Sequence, residues 1–368
     1  VFEGILVISM SKIKQTKAPS FADIAVIDRR NKMRNPFLSQ INQLVDWRPI
    51  SNLLNKHCLK QATTPIGAPS YPPLLLFKIL LLETWYGLSD REVEERINDS
   101  ISWSDFLELD LTKASPDHST ICRFRLELVD KGVMEKLFKL FNKQLQKHGI
   151  MTIKEGAIVD ASIVDSLNKP TGGRQIVIAE DREDNRTDEE KKAEEVYQQT
   201  VVSTKRGVDE EARWVKKGKA FRYGYKKHTL TDSQGLVLEV ITTSANTSDT
   251  TQIIPLVEKA GLPEETMILA DKGYTSQKNR EALKELKLED GIMHKATRGK
   301  PLTEGQKSLN SLISGTRWVI ERTFGSIIRW FHGGRCRYRG LRKTHYQNLI
   351  ESLAYNLKRA PQLIMQQS

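Results

Sequence analysis

Cysteine is scarce in this chain: Cys58, Cys122 and Cys336 stand far apart in a sequence of 368 residues. No pair has the spacing of a zinc knuckle, and so scattered a set supplies no disulfide framework, so a reducing cytoplasm is expected. Long apolar runs are also missing. The longest, Leu74 to Phe77, is broken by Lys78 before Ile79 to Leu82. That is far short of the about 20 residues a helix needs to cross a bilayer, and no membrane segment is expected. Val1 to Met10 is mildly hydrophobic but lacks a basic leader and a clear cleavage site, so it does not read as a signal peptide. With Val at position 1, Met10 is an alternative start.

Positive charge is in excess. Lys+Arg number 57 against 46 Asp+Glu, a net charge of +11. This balance suggests a polyanionic partner, most simply nucleic acid, although a basic protein without such a partner has the same composition.

Taken in order, residues 1–70 read as a basic arm with helical patches at Leu38 to Val45 and Ile50 to Leu59, ending in a linker at Pro65, Gly67 and Pro69. Residues 71–148 read as an all-α domain. Leu74 to Trp85 is apolar almost all round and is predicted to be a buried helix stopped by Gly87. Ser89 and Glu92 form a capping box, and Ser115-Pro116-Asp117 starts another helix with Pro at its first position. The helix that follows carries Ser119, Thr120, Arg123 and Arg125 early on, which suits the reading helix of a helix-turn-helix; many α bundles share the pattern. Val133 to Lys147 is amphipathic.

Residues 149–360 read as an α/β domain in the order β-β-β-α-β-α-β-α. Its strands are Ala157 to Val164, Tyr225 to Thr231, Leu236 to Thr243, Thr266 to Ala270 and Gly291 to His294. A charged stretch at about 171–219, with a helix at Thr187 to Gln199, lacks an apolar period and is expected to be an exposed insertion.

Three acids stand out. Met267 to Ala270 runs into Asp271, and Ala157 to Val159 runs into Asp160, each a short apolar run ending where open sheets place their ligands. Glu321 lies in Arg317 to Arg322, a stretch that reads as helix. Singly, each has an ordinary explanation: a strand-end aspartate is commonly a turn former or cap, and Glu321 would pair with Arg317 or Arg322. Together, two strand-end aspartates and a helical glutamate would suit divalent ions and phosphodiester chemistry, in which carboxylates hold metals that activate one oxygen and neutralise another.

Ile158-Val159-Asp160-Ala161-Ser162, Leu269-Ala270-Asp271-Lys272-Gly273-Tyr274 and Arg317 to Gly325 resemble the three acid motifs of bacterial insertion-sequence DDE transposases, in the IS-five group of the IS-four-like set. Tyr223 to His228 resembles that family's second-strand motif, and the likeness runs from about Tyr71 to Leu357. It implies an RNase-H-like catalytic domain beside a helix-turn-helix-like α domain, with Asp160, Asp271 and Glu321 as catalytic acids holding two Mg²⁺ or Mn²⁺ ions. It further implies double-stranded DNA partners (element ends and target), a homodimer assembled on DNA, and a bacterial, nucleoid-associated setting. The separations, 271 − 160 = 111 and 321 − 271 = 50, leave room for the insertion and for two strand-helix units. Of the family's tyrosine-arginine-glutamate-lysine signature, Arg317 stands four before Glu321. Ser314 replaces the tyrosine, Ile328 fills the lysine position, and Arg329 is the nearest base.

The expected DNA contacts are Arg123, Arg125, Lys272, Arg317, Arg322 and Arg329, with Arg335, Arg337 and Arg339 in a tail that interleaves bases with Tyr338. His228 and His294 read as either site groups or satisfied histidines, Asp165 and Asp249 as turn or cap residues. The expected activity is a DNA transposase that cuts its element's ends and joins a 3′-OH to target DNA. A metal-dependent nuclease without the joining step, or a DNA-binding regulator with an inactive catalytic domain, is the alternative.

Overall fold

The computed structural model describes residues 36–59, 70–110, 113–153, 156–170, 207–296 and 301–367. The arm over residues 1–35, the Pro65 to Pro69 linker and the helix expected at Thr187 to Gln199 lie outside the described residues. The chain divides into two compact units, residues 1–147 with 357–368, and residues 148–356.

The first unit contains α1 (Pro36–Leu44), α2 (Trp47–Cys58), α3 (Pro73–Tyr86), α4 (Asp90–Asp99), α5 (Ile101–Leu107), α6 (His118–Asp130) and α7 (Val133–Lys147). Its centre is α3, buried at every residue from Leu75 to Trp85, as an all-round apolar helix must be. Two charges go in with it and are satisfied there. Lys78 donates to the Phe106 carbonyl at 3.0 Å and lies over the Trp47 ring, while Glu83 accepts from Arg125 at 2.6 Å. Gly87 ends the helix at φ +68°, where a side chain would be strained. The Ser89–Glu92 capping box forms as expected and starts α4. Helix α6 starts at His118 rather than at Pro116. The Asp117 carboxylate accepts the Thr120 N–H at 2.6 Å, so Asp117 is the cap and Pro116 lies outside the helix.

The second unit is a six-stranded mixed sheet with helices. Its strands are β1 (Ala157–Asp165), β2 (Arg213–Lys217), β3 (Ala220–Asp232), β4 (Val237–Ser244), β5 (Met267–Ala270) and β6 (Glu289–Ile292), in the order β2-β3-β1-β5-β6 with β4 also on β3. β1 runs antiparallel to β3 and parallel to β5, which is parallel to β6. The helices are α8 (Ile253–Ala260), α9 (Gln277–Glu285), α10 (Glu304–Thr316), α11 (Trp318–Phe331) and the part of α12 (Leu341–Gln367) up to Asn356, the rest of α12 belonging to the first unit. Gly224 lets β1 and β3 close on each other, since a Cβ there would fall 2.1 Å from the Val164 carbonyl oxygen. Helix α12 is tied to β4 by the Asn356 side chain, which bonds both the N–H and the C=O of Val237 at 2.8 Å.

The expected exposed insertion ends earlier than the sequence suggests. Arg213–Lys217 is a sheet strand, and Ala212 and Val215 are buried, Ala212 beside Val164, Tyr223, Tyr225 and Cys336. A strand of five residues with one buried side chain is too short to show a period. β6 lies two residues before its expected place: Glu289 and Asp290 pair with Met267 and Ile268 while both stay exposed, and Gly291 sits against the β5 backbone, where a Cβ would come 2.8 Å from the Ile268 carbonyl oxygen.

Candidate active site

Strand register brings the two aspartates together. The parallel β1–β5 ladder ends with Val159 opposite Ala270, and the residue after each is an aspartate: Asp160, still within β1, and Asp271, just past the end of β5. Adjacent strands lie about 4.8 Å apart, and side chains alternate faces, so Asp160 shares a face with Ile158 and Asp271 with Leu269. Asp160 is not a strand-end residue. β1 continues to Asp165 because β3 still pairs with it, Asp160 standing opposite Thr229.

Helix α11 covers that same face. Its Val319 and Ile320 pack with Ile158, flanked by Leu269 and Phe324. The β3–β4 turn fixes its position: Arg322 donates to the Gln234 carbonyl at 2.6 Å and Thr323 to the Gly235 carbonyl at 2.8 Å. Gly235 has φ +86°, and a Cβ there would reach within 2.7 Å of the Thr323 hydroxyl. The first turn of α11 thereby carries Glu321 to the aspartates.

One cation joins the three acids. Arg317, at the N-cap of α11, places Nη1 3.3 Å from Asp271 Oδ2, and Nη2 3.5 Å from Asp160 Oδ2 and 3.8 Å from Glu321 Oε1. Burial raises the Asp160 carboxyl above its ordinary range, against the pull of the Ala161 N–H and the Arg317 charge. Asp271 accepts the Lys272 N–H at 2.7 Å. Among the described residues, no three Asp, Glu, His or Cys side chains close around a metal-sized point as they stand. The guanidinium stands in as the cation on which the carboxylates converge. A donor set made only of carboxylate oxygens suits hard ions such as Mg²⁺ or Mn²⁺.

The remaining sequence candidates divide by environment. Lys272, Arg329, Arg335, Arg337 and Arg339 are exposed. The Arg335–Arg339 stretch is held to the end of β1, where Asp165 N–H bonds Gly334 O at 2.9 Å and Cys336 N–H bonds Asp165 O at 2.8 Å. Arg123 is exposed near the start of α6, its guanidinium on the Ser119 and Thr120 hydroxyls. Arg125 is not available to read DNA: it is buried, paired with Glu83 and with Asp90, because its helix position faces α3 and α4. Arg322 is likewise committed to the fold, through Gln234 and by stacking on the Trp318 ring.

His228 lies opposite Ala161 and so on the other sheet face from Asp160; burial pushes its imidazole down to about 4, and Nε2 meets the Thr243 hydroxyl at 2.9 Å. The backbone of His294 bonds with Asn310 in both directions. Asp165 is a bidentate partner of Arg222 at 2.6 and 2.7 Å, and Asp249 pairs with Lys226 at 3.0 Å, so both have roles beyond turn-making.

Sequence reasoning passed over two neighbours of the site. Tyr274, buried one tight turn after Asp271, has a hydroxyl without a hydrogen-bond partner, and burial together with the Asp160, Asp249 and Asp271 charges raises its pKa. It was visible in the Asp271 motif. The positive field of Lys217, on β2, reaches Asp160. No pattern pointed to Lys217, because its strand is too short.

Residues 154–357 match the family model described as Transposase DDE domain, and residues 25–127 match Transposase domain (DUF772). The transposase for insertion sequence element IS1106 of Neisseria meningitidis serogroup B is 38% identical over 239 residues, 65% of this chain and 76% of that one. The likeness to a chain in the crystal structure of the Mos1 Strand Transfer Complex is too remote to add weight, with a TM-score of 0.20 and 11% identity over 86% of this chain and 84% of that one. The mixed sheet flanked by helices is the RNase-H-like arrangement expected of the DDE domain. Matched over its α-helical part and over the sheet that gathers Asp160, Asp271 and Glu321, the chain belongs to the bacterial insertion-sequence DDE transposases.

Proposed function

We propose that this transposase binds the ends of its element, cleaves them by metal-dependent hydrolysis and joins the freed 3′-OH to target DNA. The observation that carries this reading is the convergence of Asp160, Asp271 and Glu321, from two strands and one helix, on a single cation. The three carboxylates would hold a divalent ion such as Mg²⁺ or Mn²⁺, which when bound would supply an activated water at neutral pH and neutralise the leaving oxygen. In the first step water forms a bond to the scissile phosphorus and the P–O3′ bond breaks, leaving a 3′-OH and a 5′-phosphate. In the second, that 3′-oxygen attacks a target phosphorus in line and displaces the target's own 3′-oxygen. No covalent bond to the protein forms in either step.

The chain's other residues position the DNA. The exposed bases Arg329, Arg335, Arg337 and Arg339 neutralise phosphates, and Lys272 lies beside Asp271 for the same purpose. The α-helical unit, through α6 and Arg123, reads the ends. The working form is a homodimer assembled on the two ends.

The test uses duplexes carrying the inverted repeats that bracket the gene, incubated with the full chain, Mg²⁺ and a supercoiled target. Joined end–target molecules support the reading. Cut ends without joined products would reduce the activity to that of a nuclease.

A further inference from the structure

Arg317 is held differently from Arg222, another acid-bound arginine of the sheet unit. Arg222 grips Asp165 in a two-pronged pair at 2.6 and 2.7 Å. Arg317 makes no such grip. Its guanidinium lies 3.3, 3.5 and 3.8 Å from three different carboxylates, all longer than the about 2.7–2.9 Å of a charge-assisted hydrogen bond. What keeps it there is the summed negative field of three acids, not a matched geometry with any one of them.

That field is only partly neutralised. Three carboxylates against one guanidinium leave an excess of negative charge in a half-buried place, lessened at Asp160 by the field of Lys217, and a divalent ion entering it would meet the guanidinium as a like charge. The Arg317 side chain is not among the contacts that anchor α11 to the β3–β4 turn, which are those of Arg322 and Thr323. The Arg317 backbone is helical at φ −61° and ψ −29°, and its side chain is long. The partner that matches a released guanidinium is a phosphate, which it binds through two parallel N–H bonds.

We propose that Arg317 is a place-holding cation: in the metal-free protein it occupies the point where a divalent ion enters the acid triad, and a DNA phosphate draws it out. Metal and DNA then bind cooperatively, each favouring the state in which the guanidinium has left the acids. This rests on Asp160, Asp271 and Glu321 being the metal ligands.

The experiment measures Mn²⁺ binding to the full chain by the electron paramagnetic resonance signal of free Mn²⁺, with and without duplex, correcting for Mn²⁺ held by duplex alone. The variants are Arg317→Gln, Arg317→Met, Arg317→Lys and Asp271→Asn. Without DNA, both neutral variants should bind Mn²⁺ about tenfold more tightly than the parent, a difference of about 1.4 kcal/mol, while Arg317→Lys stays near the parent. Duplex should tighten Mn²⁺ binding to the parent and barely change it in Arg317→Gln. If the neutral variants bind no more tightly while Asp271→Asn still removes the ion, the place-holding role is overturned and the metal site stands. If Asp271→Asn leaves Mn²⁺ binding intact in every background, the assignment of the ligands is overturned instead.

Discussion

Asp160 and Asp271 are in-register neighbours on parallel strands, each following the last paired couple, Val159 and Ala270. Their meeting is set by packing. Ile158 and Leu269 share the face on which the aspartates stand, and α11 packs onto both. A slip of one residue between β1 and β5 would send one carboxylate to the opposite face together with its apolar neighbour, so burial of these side chains enforces the site's register.

Arg125 should be a stability residue. Removing it leaves Glu83 and Asp90 without their shared cation, and Glu83 is 6% exposed. Arg125→Ala should destabilise the α-helical unit by about 3–5 kcal/mol, seen as a lower urea midpoint. An unchanged midpoint with altered choice between DNA sequences would return Arg125 to a reading role.

Arg123 should behave in the opposite way. It is exposed, and among the described residues its guanidinium rests only on hydroxyls and a carbonyl of its own helix. Arg123→Ala should leave the urea midpoint in place and reduce discrimination between end and random duplex by about 1–3 kcal/mol, the worth of a two-pronged contact with a guanine. Equal weakening on both duplexes would make it a phosphate-binding residue.

The basic stretch after α11 should bind phosphates without reading bases. Arg335, Arg337, Arg339, Arg342 and Lys343 are all exposed, and the stretch is fastened to the end of the strand that carries Asp160. Each phosphate that the protein ceases to neutralise lowers the slope of log K against log salt by about 0.9. Replacing Arg337 and Arg339 together should therefore flatten it by roughly two units and weaken end and random DNA alike. An unchanged slope would assign the stretch to folding or to a protein partner.

The stability contributed by Glu351 and Asp232 should fall as pH rises toward neutrality, while buried His228, held down to about 4, acts in the opposite sense below its ordinary value of 6.5. Burial pushes the Glu351 carboxyl from 4.5 up to about 7, with Lys227 buried beside it pulling the other way. Burial also carries Asp232 from 3.8 to about 7, against the backbone N–H groups of Leu236, Thr152 and Gln234. Between those values the folded chain keeps protons that the unfolded chain has released, so these groups' contribution is lost as pH rises through the window. Glu351→Gln should make the slope of urea midpoint against pH shallower. A slope of the same steepness in that variant would show that Glu351 does not carry it.

Much of the site was legible because its parts are local. Asp271 follows an apolar run, and Glu321 stands in a helix with Arg317 one turn before it; their flanking residues carry the family likeness. The boundary of the insertion was not legible, since β2 buries only Val215. Asp160 looked like a strand end because the first apolar run stops there, yet Ile163 and Val164 already extended the expected strand to Val164, and the structure carries it to Asp165 through pairing with β3. Arg125 looked like Arg123, two residues away. Only the packing of α6 against Glu83 and Asp90 separates a buried counter-ion from an exposed reader.

Asp160, Asp271 and Glu321 are proposed to carry phosphodiester cleavage together. The most direct measurement is Mg²⁺-dependent cutting of duplex bearing the element's end by Asp271→Ala, with binding to the same duplex measured in parallel. Cutting should fall to background while binding stays close to the parent's. Cutting near the parent's level by Asp271→Ala would contradict that assignment.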